Sequence, residues 1–434
     1  MLERRLPESA AGGQTRAAAL PGLKTAWRRG EIALKWAAVA LGASIPVSVA
    51  VDNVILYVLL LFWLAGGGYR AKLAAIRDNP VAWLALALWG LFVVGSLYSI
   101  GSRQDILDAL GKSMRLLLIP VLVHLLREPE WRERGLVAFV GAMLVALVLS
   151  WLLWLGFVPG NNWIKGNPLD PAVFKAHNTQ NVFMAFAAFL MAQVALRTES
   201  THFRIGLWLA CAIAAANVLF VVPGRTGMVV LLLLLVYFLA RTFKVKGLVI
   251  AGAVLAALAA AILASPDSML HRRITLADEE FTEWRAGKRP EPTSSVGLRL
   301  EYLENTLDII ARNPAVGVGT GGFGKAYSER VQGTGAEATQ NPHNEILLLL
   351  VQFGVVGFAL FAGLLVTQWR VATRLPNAFD TGAARAFVIA MGVTSVLAST
   401  LLDHAEGFFF AYMSGLLFAG YSARAPEVAR QQAR

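Results

Sequence analysis

The sequence has few charged residues and a single cysteine. Only 15% of its 434 residues are charged, whereas 56% are hydrophobic. A soluble chain of this length needs much more polar surface, so the composition excludes a soluble protein and predicts a polytopic membrane protein. The lone Cys211 excludes an intramolecular disulfide and the paired-cysteine motifs that bind metals or carry redox chemistry.

The sequence also lacks a continuous basic region, despite its net charge of +11. Lys and Arg lie in short clusters between apolar runs, which is typical of cytoplasmic loops in membrane proteins. The charge therefore does not indicate a nucleic-acid partner. The basic segment before residue 36 lacks a short apolar stretch followed by a small-residue cleavage site, so no cleavable signal peptide is expected.

Apolar windows predict an all-α polytopic membrane protein with about twelve transmembrane helices. With the N-terminus in the cytoplasm, 24 of the 39 Lys and Arg residues fall in cytoplasmic segments, and nine of the others lie in one long outer loop. The positive-inside rule does not govern loops of that length, so both termini are expected in the cytoplasm. The predicted spans are 32–50, 53–67, 81–100, 107–126, 135–157, 179–196, 205–222, 226–241, 247–264, 344–368, 386–402 and 406–422.

These spans divide the chain into five predicted parts. They are a cytoplasmic arm, nine transmembrane helices, the long outer loop, three further transmembrane helices and a cytoplasmic tail, at 1–31, 32–264, 265–342, 343–422 and 423–434.

The outer loop contains three distinct patterns. Residues 278–293 are hydrophilic and are expected to be flexible and solvated. Apolar residues at helical spacing then predict an amphipathic helix that Ser295 caps and Asn313-Pro314 ends, lying on the bilayer surface or over a cavity; they are Leu300, Leu303, Leu307 and Ile310. The glycine-rich 317–324 is expected to be a flexible turn, because no strand precedes it as a phosphate-binding loop would require.

Three predicted helices begin at the outer face with polar residues, in the sequences KAHNTQN, PGRTG and NPHNE. A helix N-terminus carries free N–H groups and the positive end of the dipole, which favours anions. If the three starts converge, they form a cationic pocket at the outer membrane boundary.

Arg225 and His343 are the strongest candidates in these starts. Arg225 lies near membrane depth between Gly224 and Gly227, where an ionisable residue is costly and favours a functional role over snorkelling to lipid headgroups. Asn341 as N-cap and Pro342 as first residue would place His343 in the first helical turn, where the dipole keeps the imidazole neutral. An interfacial histidine satisfied by water is the alternative for His343.

Weaker candidates surround these two residues. Arg299 and Tyr302, three residues apart, are expected to face one ligand or, alternatively, solvent. His177 has equal claims to a structural role, and Lys112 and Arg115 are candidates for binding a substrate or lipid phosphate. The turn DHAEG at 403–407 has metal-ligand residue types without a recognised spacing, so no metal is expected.

Three motifs together resemble the O-antigen ligase superfamily. They are GRTG at 224–227, NPAVGVGTGGF at 313–323 and PHNEILLLLVQFGVVG at 342–357. The superfamily comprises O-antigen ligases, O-antigen polymerases and O-linked oligosaccharyltransferases. Its RTG arginine corresponds to Arg225, its loop arginine to Arg299 and its HNE histidine to His343. A 78-residue loop without an extra soluble domain favours the ligase.

The resemblance implies a glycosyltransferase of the bacterial inner membrane, with its active site at the periplasmic face and no cofactor. Its substrates would be a glycan on undecaprenyl pyrophosphate and the lipid A–core, both held among membrane lipids. Arg225 would stabilise the leaving pyrophosphate, and His343 would deprotonate the acceptor hydroxyl with inversion at C1. The expected substrate contacts are Arg299, Tyr302, His177, Asn178, Lys112, Arg115, Asn344 and Glu345.

The alternatives are a polymerase or protein O-oligosaccharyltransferase, which differ in the acceptor, and a transporter of lipid-linked glycan, which makes no bond. A transporter would carry its polar residues nearer the membrane midplane than these helix starts.

Overall fold

The computed structural model of the protein is helical throughout the residues that it describes, which confirms the predicted all-α class for that part of the chain. Residues 1–20 of the predicted cytoplasmic arm and the predicted tail, 423–434, lie outside the described residues. The described ranges are 21–161, 163–265, 269–288, 291 and 294–422.

The first half of the chain forms helices of very different lengths. A 3-10 turn, Met114–Leu117, joins α5 to α6, and a π-helix, Asn217–Val221, extends α9. The α-helices are α1 (Pro21–Ser44), α2 (Val49–Ala65), α3 (Tyr69–Arg77), α4 (Pro80–Gly95), α5 (Arg103–Ser113), α6 (Leu118–Leu125), α7 (Pro129–Trp154), α8 (His177–Ala195) and α9 (Thr201–Ala216).

The second half begins with the helix that follows the PGRTG motif. A short 3-10 turn, Ala372–Arg374, extends α15. The α-helices are α10 (Arg225–Phe243), α11 (Val245–Leu263), α12 (Met269–Arg285), α13 (Ser295–Arg312), α14 (Phe323–Val331), α15 (Glu345–Val371), α16 (Ala378–Leu397) and α17 (His404–Phe418).

Six of the described helices are long and apolar enough to cross a membrane. They are α7, α9 with its π-helix, α10, α11, α15 with its 3-10 turn, and α16. Helices α2 and α3 add a seventh candidate if they form one span bent by 117°. The predicted number of twelve spans is therefore not confirmed, and the position of the termini relative to a membrane stays a prediction.

The remaining predicted spans correspond to helices that are short, broken or rich in polar residues. The predicted span 107–126 is divided into α5, the 3-10 turn and α6, and α4 has only 16 residues. Helices α8 and α17 cover the predicted spans 179–196 and 406–422, and nearly all of their residues are buried. A helix enclosed by other helices can carry polar side chains that lipid would exclude, which explains the polar start of α8.

Phenylalanine rings hold these enclosed helices together. Phe409 of α17 lies 4.5 Å from Phe183 of α8, 5.4 Å from Phe139 of α7 and 5.9 Å from Phe387 of α16, measured between ring centroids. All four side chains are fully buried. Helix α17 therefore lies at the centre of the fold, and α7, α8 and α16 pack against it.

The glycine-rich segment predicted as a flexible turn is instead packed into a break in α15. Gly354 interrupts α15 with φ of 59° and ψ of −152°. The N–H groups of Val318 and Gly319 donate to the carbonyls of Val351 and Gln352, each at 2.8 Å, and the N–H of Val355 donates to Pro314 at 2.9 Å. The segment satisfies the backbone groups that the break exposes, as an apolar environment requires. Those amides are therefore unavailable to a phosphate.

The outer loop is also more ordered than the sequence indicated. Residues 278–285, expected to be flexible, belong to α12. Their order has a local cause, because Glu280 is buried and its Oε2 accepts from the N–H of Val296 at 2.7 Å. The predicted amphipathic helix is confirmed as α13, but Ser294 rather than Ser295 caps it, accepting from the N–H of Gly297 at 3.0 Å.

The apolar stripe of α13 is partly exposed. Leu303 and Leu307 are 38% and 51% exposed, whereas Ile310 packs against a buried cluster that includes Ile309. Contact of the exposed stripe with the bilayer surface stays a prediction.

We expect Gly354→Ala to destabilise the protein, because an added Cβ would lie 2.3 Å from the carbonyl carbon of Ala315 in a backbone conformation that L-residues rarely adopt. The expected loss is about 1–3 kcal/mol or more, visible as a lower thermal midpoint in detergent. Gly363→Ala on the same helix meets no atom within 4 Å and is the control. Equal midpoints for the two variants would contradict this account of the break.

Candidate active site

The starts of α8 and α10 are in direct contact. Asn181 donates from Nδ2 to the carbonyls of Val222 at 3.0 Å and Gly224 at 3.3 Å. A Cβ at Gly227 would lie 2.2 Å from the Cβ of Asn181, and one at Gly224 would lie 2.7 Å from the carbonyl oxygen of His177. The glycines on either side of Arg225 therefore allow α8 and the start of α10 to approach each other closely.

A buried hydrogen-bond chain fixes the turn that leads into Arg225. The N–H of Val222 donates to the carbonyl of Asn217 at 2.9 Å, which closes the π-helix. Asn217 donates from Nδ2 to Ser150 Oγ at 3.0 Å, and Ser150 donates to the carbonyl of Pro171 at 2.8 Å. Such single π turns are frequent at functional sites. This one anchors the start of α10 to α7 and to the loop before α8.

Helix α13 brings Arg225 and His343 into one group. Burial, with the nearby charge of Arg225, lowers the pKa of Arg299. One turn later, the ring of Tyr302 lies nearly parallel to the imidazole of His343, with centroids 6.2 Å apart and planes 24° apart. The Tyr302 hydroxyl also hydrogen-bonds Thr339. Arg299 and Tyr302 thus both lie near His343, while their contact with one ligand stays a prediction. We call Arg225, Arg299, Tyr302 and His343 the cationic cluster.

The cationic cluster keeps its histidine neutral. Partial desolvation by the surrounding protein, followed by the charge of Arg299, lowers the pKa of His343 below its ordinary value of 6.5. The residue is nevertheless exposed at the surface. His343 is therefore an accessible base that can accept a proton near neutral pH.

The predicted place of His343 in the first turn of a helix is wrong. Helix α15 begins at Glu345 and its N-cap is Asn344, whose Oδ1 accepts from the N–H of Leu347 at 3.0 Å. His343 lies before the cap with φ of 53°, and its N–H donates to Asn341 Oδ1 at 2.7 Å. Desolvation and Arg299, rather than a position inside the helix, thus account for its neutrality.

Asn344 and Glu345 both have local structural partners. Besides the cap formed by Asn344, the buried Glu345 accepts from the N–H of Leu401 through Oε2 at 2.8 Å, and its own N–H donates to the carbonyl of Ala398 at 3.2 Å. Glu345 therefore ties the start of α15 to the connection between α16 and α17. A substrate contact for either residue stays a prediction.

The first turn of α8 is partly engaged with the preceding loop. His177 Nδ1 lies 3.0 Å from Asp170 Oδ2, and both side chains are half-exposed. Asn178 beside it is half-buried. Lys175 reaches inward, with Nζ 3.7 Å from the fully buried Asp52 of α2. The structure thus gives His177 a carboxylate partner, while its role with a substrate stays a prediction.

Lys112 and Arg115 lie apart from the cationic cluster. Arg115 is buried, donates from Nη1 to the carbonyl of Asp403 at 2.8 Å and lies over the ring of Phe408. Lys112 is half-buried on α5 and lines a cavity with Asp403. Arg115 therefore supports the start of α17, and Lys112 belongs to a second polar region.

Polar side chains of the turn 403–407 bond to other parts of the protein. Glu406 bonds Thr179 of α8, and His404 Nε2 lies 3.3 Å from Asn53 Oδ1. Within the described ranges, no three His, Cys, Asp or Glu residues are grouped so that they could hold a metal ion.

The sequence analysis missed the residues that hold the site in place. Asn181, Asn217 and Thr339 bond its backbone and side chains, yet none was selected as a candidate. Asn181 lies in the polar run that introduces α8, which was the available signal. Asn217 and Thr339 carry no local pattern, because their partners are distant in sequence.

Residues 209–362 match a family model described as O-antigen ligase. This range contains GRTG, α13 and His343, so the resemblance inferred from the motifs is confirmed. The chain is therefore a helical protein with several helices apolar and long enough to cross a membrane, and part of it is similar to the O-antigen ligase family. No curated protein matches it.

We expect Gly227→Ala to disturb the site, because its new Cβ would overlap Asn181 and push α10 away from α8. Such overpacking costs about 1–3 kcal/mol, measured as a fall in the thermal midpoint of the detergent-solubilised protein. Gly206→Ala on α9 meets no atom within 4 Å and should leave the midpoint unchanged. A Gly227→Ala variant as stable as Gly206→Ala would refute the close contact.

Proposed function

We propose that the protein is an O-antigen ligase. It transfers O-antigen polysaccharide from undecaprenyl pyrophosphate to lipid A–core at the periplasmic face of the bacterial inner membrane, in lipopolysaccharide biosynthesis. The reaction inverts the configuration at C1 and needs no metal ion. The observation that carries this proposal is the cationic cluster, in which Arg299 lies near both Arg225 and an accessible neutral histidine.

The two arginines of the cationic cluster are suited to binding the pyrophosphate of the glycan donor. Arg225 and Arg299 come from different helices, yet the charge of Arg225 acts on Arg299. Two like charges so close are unfavourable unless an anion lies between or beside them, and pyrophosphate supplies one. Their guanidinium groups would hold the pyrophosphate and stabilise the negative charge that develops as the C1–O bond breaks.

His343 is suited to removing the proton of the acceptor hydroxyl. A general base must be unprotonated before it acts, and the lowered pKa of His343 keeps it so at neutral pH. The base takes the proton of the acceptor hydroxyl while that oxygen forms the new bond to C1. Undecaprenyl pyrophosphate leaves with the electrons of the broken C1–O bond. Tyr302, stacked on the imidazole, fixes the orientation of the ring.

The acceptor distinguishes the ligase from its relatives. The same cluster would serve a polymerase, whose acceptor is a second lipid-linked repeat, or a protein O-oligosaccharyltransferase. The 78 residues of the loop 265–342 hold no added soluble domain, which favours the ligase. Supplying each acceptor separately to the purified protein tests this choice.

We expect His343→Ala to lower kcat by about 10²–10⁴-fold in a mixture of purified protein, undecaprenyl-pyrophosphate glycan, lipid A–core and EDTA, because general-base catalysis contributes that much. The product is measured by its gel mobility. His202→Ala, which removes another exposed histidine from α9, should retain full activity.

Detergent solution removes the need for transport, so it separates an enzyme from a transporter. A wild-type protein that forms no product, or a His343→Ala variant as active as wild type, would overturn the proposal. Loss of product on adding EDTA would contradict a metal-independent reaction.

The pH dependence of kcat/KM tests the link between Arg299 and His343. Activity should fall as pH drops through the lowered pKa of His343 and protonates the base. Removing the positive charge in Arg299→Gln should raise that pKa, so the acid limb should move to higher pH even though the overall rate is lower.

Lys325→Gln removes an exposed positive charge from α14 and is the matched control. Its acid limb should coincide with that of wild type. An acid limb in Arg299→Gln that stays fixed or moves to lower pH would show that Arg299 does not act on the base.

A further inference from the structure

A cavity of about 500 Å³, lined by both polar and apolar residues, lies beside the segment that carries His343. Its lining includes Gln340 and Asn341 but no member of the cationic cluster. The volume falls in the range of about 300–1,000 Å³ that is typical of small-molecule sites. The cavity and the cationic cluster thus share one backbone segment and no side chain.

Two helices present regular faces to this cavity. Helix α5 contributes Asp105, Asp108, Ala109 and Lys112, which recur at the spacing of one helical face. Helix α15 contributes a second face from its first two turns, and the connection between α16 and α17 closes the third side. The walls are therefore rigid helices rather than a surface loop.

Some side chains that line the cavity have a polar atom without a hydrogen-bond partner among the described residues. Glu345 is fully buried, and its Oε1 makes no hydrogen bond with any described residue. The same holds for His404 Nδ1. Lys112 makes no hydrogen bond or ion pair within the described part of the chain, although its charge acts on Asp403. Glu345 and His404 therefore keep unused hydrogen-bonding capacity at the cavity, and Lys112 adds a cation without an ion-pair partner among the described residues.

The chemistry of the lining selects the ligand class. Carboxylates at Asp105 and Asp108 and amides at Gln340, Asn341 and Gln352 offer both acceptors and donors, which suits a ligand rich in hydroxyl groups. Lys112 adds a cation for one negative substituent.

We propose that this cavity is the acceptor subsite and that it binds an anionic, phosphate-bearing saccharide through Lys112 and the surrounding carboxylate and amide groups. The proposal rests on the proposed function, because it takes the cationic cluster as the donor site. The acceptor hydroxyl must approach C1 from the side opposite the leaving pyrophosphate. The segment Gln340–Glu345 carries His343, whose ring stacks on Tyr302 of the cationic cluster, while Gln340, Asn341 and Glu345 of the same segment line the cavity.

The first test measures binding without any reaction. The full-length protein is placed in phosphatidylcholine nanodiscs, and saturation-transfer NMR is recorded with glucose 6-phosphate and with glucose. Glucose 6-phosphate should give signals from its sugar protons, and glucose signals at least severalfold weaker. Lys112→Gln should reduce binding of the phosphorylated probe about tenfold, as expected for loss of a charge-assisted hydrogen bond.

Arg103→Gln makes the same charge change at the exposed start of α5, outside the cavity, and should bind like wild type. Ala109→Phe should fill the cavity from α5 without removing a charge and should also abolish the signal. Absence of a signal with wild type, or equal signals from wild type and Lys112→Gln, would overturn the proposal.

Phosphatidylglycerol distinguishes a saccharide from a lipid headgroup. Nanodiscs that contain this anionic lipid should leave the sugar signals in place. If the lipid eliminates them in wild type, Lys112 binds headgroup phosphate and the saccharide proposal is wrong.

The second test separates acceptor from donor. In the transfer assay, Lys112→Gln should raise KM for lipid A–core about tenfold and leave KM for the lipid-linked donor unchanged. A rise confined to the donor would assign Lys112 to pyrophosphate instead. If no transfer occurs at all, the proposed function fails, while the NMR experiment still decides whether the cavity binds a saccharide.

Discussion

The site depends on one backbone arrangement, the hydrogen bonds that the glycine-rich segment makes to the break in α15. An interrupted helix in an apolar environment must find partners for its freed N–H and C=O groups. Here the partners come from the residues that directly follow α13, since Pro314, Val318 and Gly319 bond to the region around Gly354. Helix α13 carries Arg299, and the start of α15 follows His343. The hydrogen bonds that satisfy the backbone groups at the break therefore also set the distance between Arg299 and His343.

A second constraint brings Arg225 to this pair. The contact between α8 and α10 is as close as backbone atoms allow, because glycine stands at both positions where a Cβ would collide. Asn181 then holds the turn before Arg225 through two backbone carbonyls. The cationic cluster is thus assembled by backbone packing from two helices, α10 and α13, and the segment before α15. Among the described residues no ion pair holds Arg225 or Arg299 in position, which leaves their positive charge available to an anion.

The sequence predicts features that neighbouring residues determine. It does not predict features that depend on contacts with residues distant in the chain. Helix α13 and the all-α class follow from apolar spacing, and Arg225, Arg299 and His343 follow from their motifs. Asn341 and Asn344 are equally good caps by type, so the start of α15 was misplaced. A tertiary contact decides which of them is the cap, because Asn341 Oδ1 accepts a hydrogen bond from Ser399, 58 residues away, at 2.6 Å. A glycine-rich sequence likewise predicts a turn in any setting. Only the packing of the segment 317–324 against α15 shows that this turn is buried.

In the proposed reaction, Arg299 acts on both substrates. Its charge stabilises the leaving pyrophosphate and, in the free protein, weakens the base by lowering the pKa of His343. A bound pyrophosphate supplies negative charge beside Arg299 and offsets that effect, so the base becomes stronger when the donor is present. Proton removal from the acceptor is then most favourable when a sugar is ready to receive the attacking oxygen. The arginine that binds the donor therefore couples donor binding to activation of the acceptor.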